Sequence, residues 1–89
     1  MFTPPTHRFE FRIFPADEYG RMLEGRETIE FHDLVDVTAA KRKTGSLAKA
    51  NNGPIDLAWA GDAPWNDRYI TTASPSEFHQ SGYRFERLD

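Results

Sequence analysis

The stretch DVTAAKRKTGSLAKANNG, Asp36–Gly53, decides how this chain folds. It is the one long segment with helical spacing. At about 100° per residue, Val37, Ala40, Thr44, Leu47 and Ala48 fall on one stripe. Thr38, Lys41, Arg42, Gly45, Ser46 and Lys49 fall opposite. Asp36 is a natural N-cap: its carboxylate can accept from free N–H groups of the first turn and suits the positive end of the helix dipole. Lys49 suits the other end. Asn51-Asn52-Gly53-Pro54 reads as a stop, because Gly53 permits a left-handed residue and Pro54 cannot continue the helix. The apolar stripe is built from small residues, so its partner can approach closely. That partner is expected to be a sheet.

Gly45 is out of place on local grounds, since glycine inside a helix costs about 1 kcal/mol relative to alanine. Spacing puts it on the polar face between Arg42 and Lys49. It is either a tolerated weak spot or part of a flat basic face that another backbone can approach.

Strand-like segments flank the helix. Arg8–Phe14 alternates, with Phe9, Phe11 and Ile13 on one face and Arg8, Glu10 and Arg12 on the other. Ala16–Gly25 reads equally as one or two helical turns or as a long loop. Thr28–His32 is a short strand with Ile29 and Phe31 on one face. Beyond the helix, Ile55–Ala60 alternates with Ile55, Leu57 and Trp59 inward. Gly61–Asp67 is rich in turn formers. Arg68–Ala73 is β-branched and aromatic. Ser74–Gly82 is a polar loop carrying Phe78 and His79, and Tyr83–Leu88 is a last strand. The triplet Arg-Phe-Glu occurs at 8–10 and 84–86. Alternating strands produce such echoes readily, so it is not read as a repeat, but it suggests that the first and last strands share one sheet, each with an exposed charged face. The expected fold is α+β in a single domain, 1–89. One principal helix packs on an antiparallel sheet of about four to five strands, in the order β-(variable)-β-α-β-β-β. Val37, Ala40, Leu47 and Ala48 are expected to face Phe9, Phe11, Ile55, Leu57 and Trp59.

The chain has no cysteine, which excludes disulfides and thiolate chemistry and fits a cytosolic protein. No apolar run approaches the ~20 residues of a membrane span, and no signal-peptide pattern opens the chain, so no membrane partner is expected. The net charge is −3, unevenly distributed. Residues 1–37 hold eight acidic residues and four arginines, residues 38–50 four basic residues and no acidic one, and residues 51–89 six acidic residues and three arginines. Basic charge is therefore concentrated on the helix, where it can face phosphates or balance its acidic neighbours.

Catalytic signals are weak. His7, His32 and His79 lack second ligands at metal-site spacing, apart from Glu77 near His79, so neither a metal nor a cofactor is expected. Ser74, Ser76 and Ser81 share a loop with Glu77 and His79. A hydrolase reading would gain support from a cleft holding Ser and His side chains in contact. Asp62 and Asp67 could form a carboxylate pair, but no spacing rule singles them out, and Gly53 and Gly61 read as turn residues rather than a phosphate loop. The stronger signals concern binding. Of the helix bases, Lys41, Arg42 and Lys49 cluster, a small surface for phosphate-driven binding. Trp65, Tyr69 and Phe78 could stack bases if exposed. Trp65 and Phe78 lie in predicted loops, where aromatic residues either plug a core from its edge or anchor a partner.

Val37–Arg42 (VTAAKR), Asn52–Leu57 (NGPIDL), Arg68–Thr72 (RYITT) and the ending Gly82–Leu88 (GYRFERL) together resemble small uncharacterised proteins of actinobacterial phages and prophages. The resemblance covers roughly residues 36–89. More loosely, the helix start followed by strand–turn–strand is similar to a small phage anti-CRISPR that coats the guide-binding backbone of a type I surveillance complex. Only Ala40-Lys41-Arg42 would carry over, as candidate partner-contacting residues. The resemblance implies an accessory phage protein that works by binding, and it implies no activity. The expected function is thus a non-enzymatic module acting through protein–protein contact, as an inhibitor of a host system. A nucleic-acid-binding module using the basic helix face is the alternative, with weak binding expected, and a small hydrolase is the third reading.

Overall fold

The expected helix is present in the computed structural model, which describes residues 5–15, 23 and 25–86. Helix α1 spans Val37–Asn51. Asp36 caps it from an extended conformation, its Oδ1 accepting from the Ala39 N–H at 2.8 Å. The stop differs by one residue from the reading. Asn52, not Gly53, takes the left-handed conformation (φ 51°, ψ 42°), and its N–H reaches back to the Lys49 carbonyl. Asparagine is the usual non-glycine residue there, because its short polar side chain tolerates that backbone. Most of Ala16–Gly25, the lead before residue 5 and the end of the last strand past 86 lie outside the described residues.

Among the described residues five strands form one antiparallel sheet: β1 (His7–Ile13), β2 (Thr28–Leu34), β3 (Ile55–Trp59), β4 (Tyr69–Pro75) and β5 (Tyr83–Glu86). In space the order is β2-β1-β3-β4-β5, so β1 lies between β2 and β3. Both neighbours run antiparallel to β1 and are therefore parallel to each other. Joining them requires a crossover above β1, and α1 is that crossover. The first and last strands do share the sheet, with β3 and β4 between them.

The alternation of β1 sends Phe9, Phe11 and Ile13 under the helix, where they meet Ile55, Leu57 and Ala73. The helix supplies small residues: Ala40, Thr44 and Ala48 are fully buried. Thr44 donates its hydroxyl to the Ala40 carbonyl at 2.7 Å, so its burial leaves no polar group unpaired. Val37 and Leu47 are only partly buried at the margin of this core. Trp59 is a correction to the expected core. It remains 37% exposed, its ring stacked on Phe9 with centroids 4.7 Å apart.

Gly45 is also corrected. It is buried, not on the solvent face, because the Tyr83 ring of β5 lies flat against it. A Cβ there would overlap that ring. The glycine opens a seat for an aromatic side chain of this chain, not for a foreign backbone.

The opposite sheet face corrects the expectation that the polar side of β1 is exposed. Glu10 is only 6% exposed. A one-turn helix, α2 (Trp65–Arg68), forms where the turn formers were read and folds over this face. Arg68 Nη1 donates to Glu10 Oε1 at 3.0 Å, while its Nε donates to the Ala63 carbonyl at 2.7 Å. Arg12 Nε donates to Glu10 Oε2 at 3.2 Å, and the Arg12 guanidinium lies 4.0 Å from the Trp65 ring centre. Both carboxylate oxygens thus have charged partners, which makes the burial of this anion tolerable.

Two outcomes follow from this packing. Gly45→Ala should destabilise the fold by about 1–2 kcal/mol despite the better helix propensity of alanine, because the Tyr83 ring is displaced. In a Tyr83→Ala background the same change should stabilise, by up to about 1 kcal/mol; urea midpoints of the four proteins check the sign reversal. Arg68→Ala should cost about 3 kcal/mol, leaving a buried carboxylate half-paired. Arg12→Ala, at a side chain 36% exposed, should cost less than about 1 kcal/mol. Equal shifts in the two arginine variants would contradict the network.

Candidate functional site

The helix, the β4–β5 connection and the open sheet face hold the five residues expected to bind. Lys41, Arg42 and Lys49 are exposed on α1, and among the described residues none of them forms an ion pair. Lys41 and Lys49 are two turns apart, about 12 Å along the axis. Lys43 is half-buried. The basic strip is therefore real but narrow.

Lys49 leads to a second feature. Its side-chain stem lies across Gly82, so that a Cβ on Gly82 would sit 2.8 Å from Lys49 Cε. Gly82 also has a positive φ of 85°, which glycine adopts without strain. Both conditions bring the end of α1 against the segment joining β4 to β5. That segment is closed by the Ser76 N–H donating to the Gly82 carbonyl and the Gly82 N–H donating to the His79 carbonyl, each at 2.9 Å. Ser81 donates its hydroxyl to the Tyr83 carbonyl at 3.0 Å.

Phe78 projects from this closed turn with 90% of its surface exposed. An open groove of about 650 Å³ runs beside it, lined by Asn52, Pro75, Ser76, Glu77, His79 and Arg84 in addition to Phe78. The groove combines an aromatic surface, one arginine and several hydrogen-bonding groups. Of the two readings for loop aromatics, Phe78 does not plug the core.

Trp65 behaves differently. It sits half-buried on the far face of the sheet, between the Arg12 and Arg68 guanidinium groups and 6.0 Å from the Tyr69 ring. It closes that face over Glu10. A shallow groove of about 410 Å³ borders it, lined by Asp56, Asn66, Tyr69 and Thr72. Thr72 donates to Asp56 Oδ1 at 2.6 Å and pairs with the Tyr69 hydroxyl, so these polar groups already satisfy one another. Trp65 and Phe78 therefore do not belong to one site, and Lys49 is the helix base held closest to the Phe78 turn.

The turn does bring a serine and a histidine together: Ser76 Oγ is 2.8 Å from His79 Nδ1. This meets the contact condition of the hydrolase reading. The remaining requirements are a group that orients the base and donors for an oxyanion. Among the described residues no carboxylate hydrogen-bonds to His79, and Glu77 in the same turn makes no side-chain hydrogen bond. The Ser76–His79 pair spans three residues and serves to close the turn under Phe78. Among the described residues no three His, Asp or Glu side chains converge as a metal site requires. No helix formed by the described residues is long and apolar enough to cross a membrane.

Several of these features leave little trace in the sequence. Arg84 and Asn52 line the groove because the strand pairing and the end of α1 converge there, and no local motif marks either. The signal for Phe78 was its position among turn formers. No family model, curated protein or solved structure matches this chain.

Proposed function

We propose that this protein is a non-enzymatic binding module that acts through protein–protein contact, with Phe78 as its anchor. The observation that carries this reading is the 90% exposure of a phenylalanine on a turn closed by two backbone hydrogen bonds and a Ser76–His79 pair. Exposing a large aromatic side chain to water is unfavourable, and hydrogen bonds that fix the turn limit its retreat into the core. Aromatic side chains that fill a partner's pocket, ringed by polar and cationic groups, carry much of the energy of protein interfaces. Glu77 offsets Arg84 within the groove, and Lys49 beside the turn leaves this end of the sheet with one net positive charge, which favours an acidic protein surface. The resemblance to phage accessory proteins makes a bacterial host or phage protein the partner, and inhibition of a host system the outcome.

The nucleic-acid alternative rests on Lys41, Arg42 and Lys49. Three phosphate contacts give a log–log salt slope of only about −2 to −3. Binding by this strip alone is weak in physiological salt, and the acidic remainder of the chain opposes it.

Affinity capture from an actinobacterial lysate, with wild type and Phe78→Ala compared by quantitative mass spectrometry, tests the anchor. Because Phe78 is so exposed, its truncation should change stability by less than about 0.5 kcal/mol. A specific partner should be retained by wild type and lost at least about tenfold with Phe78→Ala, the effect of removing a hot-spot residue. Equal recovery of the same proteins by both would contradict the reading. Fluorescence titration of labelled DNA and RNA, with wild type and Lys41→Glu/Arg42→Glu, tests the alternative. Only weak binding that fades with salt is expected. Submicromolar binding at physiological salt that the double substitution abolishes would put nucleic acid first.

A further inference from the structure

Strand β2 is one edge of the sheet, and among the described residues its outer side pairs with no other strand. It is seven residues long, TIEFHDL, and carries two large apolar side chains in water: Ile29 is 47% and Phe31 53% exposed. Their pairing with Arg12 and Glu10 of β1 places both on the face away from α1. Glu30 and His32 alternate onto the helix side, 3.1 Å apart. An edge strand of this length with exposed apolar residues is a template for further strand addition.

We propose that the occupant of this edge is a second copy of the same chain, joined by a two-fold axis through Phe31. Two β2 strands would pair antiparallel and extend the sheet from five strands to ten. The sequence of β2 is self-complementary in this register alone. With Phe31 opposite Phe31, Glu30 of each copy faces His32 of the other, and Ile29 faces Asp33. Two acid–histidine pairs form on the helix side. On the open side the two Phe31 rings meet, with Ile29 of each copy diagonal to the other's Phe31, a spacing that large side chains bridge. Moving the axis by one residue sets Glu30 against Glu30, or His32 against His32. Like charges directly opposite disfavour the first arrangement, and the second loses both acid–histidine pairs. The dimer leaves the Phe78 turns at the two outer edges of the ten-stranded sheet, so self-association does not compete with the binding proposed there.

Because residue 31 faces itself, one experiment reads both the interface and its register. Sedimentation equilibrium of wild type should give twice the chain mass of 10.2 kDa. Phe31→Glu and Phe31→Lys should each sediment at the monomer mass, since like charges then meet on the axis. An equimolar mixture of the two variants should regain the dimer mass, which also shows that neither had failed to fold. Wild type at the monomer mass up to near-millimolar concentration would overturn the proposal. So would dimers that persist in either single variant, or a mixture that remains monomeric.

Discussion

Among the described residues a single helix of more than one turn covers one face of a five-stranded sheet, and the side chains it buries completely are no larger than threonine. Ala40, Thr44 and Ala48 sit at zero exposure over Phe9, Phe11, Ile55 and Leu57. Bulk on the sheet side and smallness on the helix side keep the two layers close enough to exclude water, and close packing is where dispersion and hydrophobic burial both gain. The crossover topology makes this arrangement obligatory, because α1 has to pass over β1 to connect two strands on either side of it. Gly45 extends the same logic to β5: it removes even a methyl group where the Tyr83 ring arrives.

What the helix cannot cover shapes the remaining surfaces. The far face of the sheet is closed near its centre by α2, with Arg68 and Arg12 neutralising Glu10 and Trp65 lying over them. Toward β2 that cover stops, and Ile29 and Phe31 are left in water. At the opposite edge, the meeting of α1 with the β4–β5 turn produces a groove and an exposed Phe78. The two surfaces proposed for binding are thus the two ends of the sheet, where a single helix and one helical turn run out of reach.

Much of the fold was legible in the sequence because it is encoded by period. The stripe of α1, its Asp36 cap and the alternation of β1 and β3 are local properties, and the strands and helix lie within a few residues of where spacing puts them. Contacts between distant residues were not legible. A helical wheel assigns Gly45 to the solvent side, since nothing near it in sequence reveals Tyr83. Alternation identifies the charged side of β1 but not whether another segment closes over it, so the burial of Glu10 was missed. Likewise Ile29 and Phe31 read as one face of a strand, and only the register with β1 shows which. The candidate site was legible as residue types. Phe78 among turn formers and the cluster of helix bases were both visible, whereas their separation from Trp65 depends on which sheet face each loop reaches.

The most direct test of the close-packed seam is to enlarge it at one point. Ala48→Leu adds apolar bulk at a fully buried position, and Ala50→Leu adds the same bulk two residues on, at an exposed position on the opposite side of the helix. Urea midpoints followed by circular dichroism compare them with wild type. If small residues are what let the helix close on the sheet, Ala48→Leu lowers stability by about 1–3 kcal/mol. Ala50→Leu stays within about 0.5 kcal/mol of wild type. A midpoint for Ala48→Leu equal to or above that of wild type would contradict the account.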